Sequence, residues 1–442
     1  MLKNYLITAL RNISRHSIFS MINIAGLTLG LTACMLIGLY VWDEHQFDKF
    51  IPNGDSVYRI YSGYTNSEGT QQLAATPPAM ATALQQNFPE VDITTRVLTR
   101  PTYKTLFEAN KKRLYEESGC YADSTFLRVF PLKFIYGFPV VALDDVNDVV
   151  ISNSMAVRFF GNQNPVGRQI LKDKTPYIIK GVFEKNSAFH LQFDYLISLS
   201  AVPLPPGIMQ SWDWHQFITY AKLKPNTGVK SLEARFQQYV GQKETVSANG
   251  KNGVNAKDKP FFQPLTDIHL YSSDFKLDIA QRGNILYVNA LIIIAVFILS
   301  IACFNFINLA TAKSLQRAKE VGVRKAVGAA KSQLIFQFIG ETILLAFISA
   351  IISVIIAALL VPWMNDFTNK NISMSFFTNP VAIILFIALM VAVGILAGFY
   401  PAIVLSKFNP VKVLKGAVSG HEEPGKIPWL RHGLVIIQFA LS

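Results

Sequence analysis

What the chain has little of narrows its class first. Only 16% of its 442 residues are charged, against 51% hydrophobic, whereas soluble domains carry about 25% charged residues. A chain so apolar is not soluble throughout. Nor is it disordered, because disorder needs low hydrophobicity and dense charge. Cysteine is scarce: Cys34 and Cys303 lie in apolar runs and only Cys120 lies outside them. One such cysteine closes no internal disulfide, and no CxxC occurs, so a disulfide framework and a cysteine zinc site are both excluded. The chain lacks GxxxxGKS and GxxxxGKT, so it brings no phosphate-binding loop and is not expected to hydrolyse ATP itself. GxSxG and HExxH are missing too, which removes the common hydrolase signatures.

What is present is long charge-free sequence. No Asp, Glu, Lys or Arg occurs from His16 to Trp42, Gly283 to Ala312, Thr342 to Asn365 or Asn371 to Ser406. A spanning helix needs about 20 mainly apolar residues. Transmembrane helices are therefore expected at 18–42, 285–312, 335–362 and 380–404, with a fifth starting at 434–442. The first run is too long for a signal-peptide core and has no small-residue cleavage site before Asp43, so it reads as a retained anchor. Lys3, Arg11 and Arg15 precede it, while Asp43, Glu44 and Asp48 follow with only Lys49. That asymmetry places the N-terminus in the cytoplasm. The loop after the second span carries Lys313, Arg317, Lys319, Arg324, Lys325 and Lys331 against Glu320. The segment after the fourth carries Lys407, Lys412, Lys415, Lys426 and Arg431 against Glu422 and Glu423. Both read as cytoplasmic, and the loop 363–379, with Asp366 and Lys370, as external. Most of the +12 net charge falls in the cytoplasmic segments, so it is a membrane-topology signal and no nucleic-acid partner is implied.

The fold class follows: an α-helical membrane protein of four transmembrane helices plus the start of a fifth, with a large α+β extracytoplasmic domain at 43–284. Within that domain Val57 to Tyr61, Tyr177 to Phe183 and Leu196 to Leu199 read as strands. Thr76-Pro77 reads as an N-cap with proline at the first helical position, and the helix ends before Pro89. Ser152 to Phe160 reads as a helix stopped by Gly161, and Gly228 to Gln242 as another helix. Residues 247–260 read as an exposed loop. In residues 1–17, Leu2, Tyr5, Leu6, Ala9, Leu10 and Ile13 recur at helical spacing, as in an amphipathic helix lying on the inner membrane face.

Few residues suggest chemistry. Asp43, Glu44, His45 and Asp48 could ligate a metal, but they follow Tyr40 and Trp42. A solvated flank beyond an interfacial aromatic belt is the preferred reading. Asp213 and His215 lie beside Trp212 and Trp214 without a nucleophile motif, so packing is preferred. Lys111-Lys112-Arg113 reads as a hairpin tip. Glu341 is the acid in the first turns of the third span. It either faces the bundle interior or a partner, or snorkels to the inner interface. No further intramembrane acids accompany it to suggest a proton relay.

The most informative segment is Ser314 to Phe336, SLQRAKEVGVRKAVGAAKSQLIF. It reads as a short helix with Arg317, Glu320 and Arg324 on one face. Val321, Val323 and Val327 form a small apolar surface. Gly322 and Gly328 each weaken an isolated helix by about 1 kcal/mol relative to Ala, and read as allowing another chain close approach. The segment is either a docking element or a basic anchor, and charge alone does not separate the two.

Arg317 to Ala329, RAKEVGVRKAVGA, closely resembles the signature loop of MacB/FtsX-type ABC transporter permeases. FNFINLATA, ending at Ala312, is similar to the end of that family's second span. Gly398 to Pro401 with Ser406, Pro410 and Leu414-Lys415 resembles its fourth-span stretch. In the outer domain, Phe160-Gly161 with Asn164 to Arg168, and Ala122 to Pro131, resemble further family elements. The resemblance implies a MacB-like periplasmic core domain at 43–284, a coupling helix at 313–334 and a cytoplasmic linker at 405–433. Arg317, Glu320, Gly322, Arg324, Lys325, Gly328 and Ala329 would contact a separate cytoplasmic ABC ATPase. ATP and Mg would sit in that partner, with no cofactor on this chain. The implied location is the bacterial inner membrane. The implied work is mechanical, serving efflux of peptides or antimicrobials, lipoprotein release or control of a wall hydrolase. Leu434 to Ser442 resembles the start of a second half in duplicated members, so a second permease half or copy is an expected partner, with periplasmic or outer-membrane proteins beyond it. A membrane-anchored sensor or scaffold with a ligand-binding outer domain and no ATPase is the competing reading.

Overall fold

The computed structural model describes residues 17–66, 69–99, 104–247, 259–316, 318–374 and 379–407. Apart from Ser17 and residues 405–407, which fall in helices, the amphipathic helix expected at 1–17, the linker and the fifth-span start lie outside the described residues. So does most of the loop read at 247–260. The chain divides into two compact units, Glu44–Ile285 and the remainder on either side of it.

The second of these units is helical. Its long helices are Ser17–Glu44, Ile285–Gln316, Lys331–Thr368 and Pro380–Lys407, and each holds a stretch long and apolar enough to cross a membrane. Leu27, Leu31, Ala302, Phe306, Leu345, Ala346, Met390 and Val393 form its core. Small residues let the helices meet closely. A Cβ on Gly30 would fall 2.5 Å from that of Ala302, and one on Gly394 would fall 2.7 Å from Cα of Ile343. Hydroxyls add cross-helix bonds: Thr342 Oγ1 donates to Gly394 O (2.8 Å), Ser349 Oγ to Ile24 O (3.4 Å) and Thr28 Oγ1 to Ser349 O (3.4 Å).

The third helix outruns the expected 335–362 at both ends. Pro362 lies inside it, although proline removes a backbone donor and commonly ends a helix. The stop comes at Asn369, whose φ of 52° marks a left-handed cap and whose N–H bonds Asn365 O. Asn365 then ties the following turn through both ends of its amide, to Ile372 O and Ile372 N–H (2.9 Å each). Lys370 reaches Asp43 Oδ2 (2.7 Å) and lies over the Tyr40 ring, which pins that turn to the end of the first helix.

Among the described residues the outer unit holds thirteen strands. In chain order these are β1 (Val57–Asn66), β2 (Gly69–Leu73), β3 (Val91–Leu98), β4 (Thr105–Ala109), β5 (Lys112–Glu116), β6 (Gly119–Ala122) and β7 (Phe134–Gly137). They continue with β8 (Asp148–Ser152), β9 (Gln169–Lys172), β10 (Thr175–Phe183), β11 (Tyr195–Ser198), β12 (Phe217–Leu223) and β13 (Lys259–Pro264). The sheet order is β13-β1-β12-β3-β6-β11-β8-β10-β9-β4-β5, with β2 on β1 and β7 on β10. Pairs β6–β11 and β8–β10 are parallel and the other pairs antiparallel, so the domain is mixed α+β. The sheet narrows at β3–β6, joined by the single register pair Val97–Ala122. One side of the neck carries helices Pro78–Asn87 and Val229–Ser247 over β1, β12 and β13. The other carries Asn153–Phe160 over β8, β10 and β11.

Local signals explain several elements. Ser152 Oγ caps its helix by accepting from Met155 N–H, and Gly161 stops it at a φ of 65°. Lys111 lies at a hairpin tip, where Asn110 and Lys111 take φ values of 50° and 62° between β4 and β5. The cap expected at Thr76 is shifted by one residue. Pro77 precedes the helix and Pro78 opens it. Thr76 Oγ1 is drawn into the sheet instead, donating to Phe217 O (3.0 Å) beside Thr219 Oγ1 (2.7 Å).

Candidate functional site

The segment between the second and third spans is built from a short helix, a glycine stop and a half-formed cap. Residues 313–316 continue the second span's helix. A nine-residue helix, Ala318–Ala326, follows, so the helical part is shorter than the expected 313–334. Arg317 lies outside the described residues, and Glu320 is placed only by its backbone, within this helix. Gly328 N–H bonds Lys325 O (3.1 Å) and Ala329 N–H bonds Arg324 O (3.0 Å). That pair of bonds is a Schellman stop, which needs a left-handed residue at Gly328. Gly328 has a φ of +100°, and a Cβ there would meet nothing within 4 Å. Gly328 serves the backbone turn within this chain. Half-buried Ala329 leads to Ala330, whose N–H donates to Gln333 Oε1 (3.2 Å). Ala330 has no side-chain acceptor, so only this half of a capping box forms.

The short helix lies against the third span. Val321 is 3% exposed and packs with Leu334 and Phe338, and Gly322 beside it is also buried. Val323 and Val327 are 46% and 83% exposed. The three valines expected to share one surface therefore divide, one inward and two outward. Arg324 donates from Nη1 to Gln337 Oε1 (2.9 Å), and Gln337 Nε2 donates to Glu341 Oε1 (3.3 Å). Glu341 is 9% exposed. Burial, then the charge of Lys331, holds the Lys325 ammonium below the usual lysine range. Gln337 was not singled out in the sequence. Its signal was two overlapping i, i+4 pairs, Leu334–Phe338 and Gln337–Glu341, on neighbouring stripes of one helix.

The acids after the first span do not form the solvated flank expected of them. Asp43 pairs with Lys370. Glu44 is 4% exposed, with Oε2 3.0 Å from His269 Nε2. His269 Nδ1 lies 2.8 Å from Gln281 O, so the imidazole is held at both nitrogens. Phe47 stacks on that imidazole at 3.4 Å. Asp48 is 1% exposed; its Oδ1 accepts from His190 N–H (3.0 Å) and meets Nδ1 (2.8 Å), while His190 Nε2 meets Tyr220 Oη (2.7 Å). Hydropathy missed these pairings because the partners lie 142 and 225 residues away. Among the described residues no three His, Cys, Asp or Glu are grouped to hold a metal. Asp213 and His215 lie between packed aromatics: Trp212 joins an apolar cluster and Trp214 meets the Phe217 ring edge-on at 5.5 Å.

Four apolar helices, an α+β domain between the first and second, and a short helix docked on the third define a multi-pass membrane permease architecture. Residues 20–239 match the family model of the MacB-like periplasmic core domain, and residues 292–410 match that of the FtsX-like permease C-terminal region. The chain belongs to the MacB/FtsX permease family. It is 25% identical over 407 residues to the macrolide export ATP-binding/permease protein MacB of Agrobacterium fabrum, covering 90% of this chain and 58% of that protein. Against the same-named protein of Neisseria gonorrhoeae it is 25% identical, covering 61% of this chain and 38% of that one. The chain thus spans 58% or less of these relatives' lengths. A domain of a putative permease protein from Porphyromonas gingivalis superposes with a TM-score of 0.41 at 23% identity, covering 48% of this chain and 91% of that one. The periplasmic region of MacB from Actinobacillus actinomycetemcomitans gives 0.34 at 16%, covering 50% and 92%.

Proposed function

We propose that this chain is the permease subunit of an ABC transporter that turns ATP hydrolysis by a separate cytoplasmic ATPase into conformational work in the periplasm. The flanking Lys and Arg residues set the orientation, with the N-terminus and the short helix in the cytoplasm and Glu44–Ile285 outside. ATP and Mg belong to the partner. A second permease half or copy completes the membrane part. The work is efflux of peptides or antimicrobials, lipoprotein release or control of a wall hydrolase, transmitted mechanically from the short helix to the outer domain.

The observation that carries this reading is the short helix itself. It is held to the third span through Val321 and presents Val323 and Val327 outward beside Arg324 and Lys325. An apolar pair exposed within a basic setting suits a groove with acidic walls. In this reading Arg317, Glu320, Gly322, Arg324, Lys325, Gly328 and Ala329 form the coupling element, with the outward residues making the contact. The test is purification of the intact protein from its native membrane in mild detergent. An ABC ATPase should accompany it, and Val327→Asp should release that ATPase without lowering the permease's membrane level. Absence of any ATPase from the wild-type preparation sinks the proposal and favours the sensor or scaffold.

A further inference from the structure

We infer that Gln337 is a positioning residue that sets the rotation of the short helix on the third span, through a strut running Arg324–Gln337–Glu341. The inference rests on the coupling role proposed above. Two of the contacts between the helix and the third span differ in kind. Val321 against Leu334 and Phe338 is apolar contact, which resists separation but tolerates sliding and rotation because it has no preferred direction. The strut is directional. Gln337 presents its carbonyl to the Arg324 cation (2.9 Å) and its amide N–H to the Glu341 carboxyl group (3.3 Å). Both bonds involve ionisable groups of opposite sign and fix which way the amide faces. Val321 and Arg324 are three residues apart, as are Leu334 and Gln337, so the two attachments run side by side. An exposed coupling surface at Val323 and Val327 transmits force usefully only if its rotation is fixed. Apolar contact by itself does not fix that rotation.

Gln337 therefore governs transmission and not attachment, and Glu341 acts as the strut's anchor within the membrane unit. The experiment uses the full protein in lipid nanodiscs and follows amide exchange of residues 318–326. Gln337→Leu, and Gln337→Met as a second variant of similar bulk, should raise exchange there about tenfold, the order expected for lost hydrogen bonds to charged groups. Glu341→Gln keeps an acceptor and should stay within about twofold of wild type. In the assembled complex, Gln337→Leu should keep the ATPase bound but abolish the nucleotide-dependent change in outer-domain exchange, which Glu341→Gln should preserve. A purely structural role would instead lower assembly and membrane level together, and that outcome overturns the inference. So does unchanged exchange in both Gln337 variants, or failure of Glu341→Gln to retain protection. If the wild-type protein binds no ATPase, the coupling role fails separately, while exchange in the permease alone still decides the strut.

Discussion

The outer domain and the helical unit bury polar groups by opposite means. The outer domain buries charge and surrounds it. Arg59, at 0% exposure on β1, bonds Asp278 (2.8 Å), Gln263 on β13 (2.6 Å) and Ser272 (2.8 Å), and its guanidinium lies over Phe275. Glu44–His269 follows the same pattern, and Asp48–His190–Tyr220 follows it through one carboxylate oxygen, Asp48 Oδ2 being buried without a hydrogen bond. The helical unit mainly buries neutral hydroxyls that lean on backbone carbonyls, as at Thr28, Thr342, Ser349 and Ser353. Its buried acid, Glu341, meets Arg324 by way of a neutral amide. A domain solvated outside can complete dense ionic networks inside. A helix bundle in lipid satisfies its backbone internally and gains little from each added polar contact. Removing one buried partner should therefore cost far more in the outer domain.

Arg59→Met is the sharpest test of that difference. It leaves Asp278, 1% exposed, without its cation, and breaking a buried pair from one side costs about 3–5 kcal/mol. Denaturant unfolding of the purified protein, followed by fluorescence of the outer-domain residues Trp212 and Trp214, should show that loss. A change below about 1 kcal/mol would mean the network is not closed as described.

Alkaline pH should strain the outer domain next. Burial pushes the Cys120 thiol up from 9.0 to about 12, and burial first also raises Tyr220 well above its usual value. Both hold their protons in the folded state where the unfolded chain would lose them. Their contribution is complete below about pH 9 and is lost as pH rises from there through about 12. Unfolding midpoints measured from pH 8 to 11 should fall, and Cys120→Ala should flatten part of that slope. Thiol alkylation of Cys120 at pH 8 should require unfolding.

Some of this was legible in the sequence and some was not, for a physical reason. The spans could be read from composition, since lipid demands long apolar runs. The Ser152–Gly161 helix and the Lys111 hairpin could be read because cap and turn chemistry is local. The sheet order could not. β1 lies between β12 and β13, about 160 to 200 residues further along. Glu44 and Asp48 misled for the same cause, as only their distant histidines explain their burial. Between the second and third spans, the inward turn of Val321 and Arg324 depended on Leu334, Phe338 and Gln337 in the next helix.

Gly328 offers a smaller and more local break. Its φ of +100° is one that L side chains rarely adopt, and forcing one there costs about 1–2 kcal/mol. Gly328→Ala should fray the end of the short helix, raising amide exchange at 324–329 and weakening ATPase retention modestly. Because the open space around it would accept the methyl group, the effect reports the backbone and not a clash. Val327→Asp, which leaves the backbone alone, should weaken ATPase retention more and exchange less. Equal effects of the two variants on both readouts would merge the stop with the contact.

The smallest effect should come from Ser349 in the bundle. Its Oγ is fully buried and bonds Leu345 O within its own helix (2.9 Å) and, more weakly, Ile24 O on the first (3.4 Å). Ser349→Ala removes one hydroxyl and strands no charge. Ile24 and Leu345 both lie inside helices, where their carbonyls can accept backbone bonds. The Thr28 bond to Ser349 O is untouched, because its acceptor is backbone. The expected cost is about 0.6 kcal/mol, the average for such intramembrane contacts, read from detergent-titrated unfolding of the helical unit. Equality with Arg59→Met would erase the contrast between the two units, and would mean the bundle depends on its hydroxyls as heavily as the outer domain depends on its buried ions.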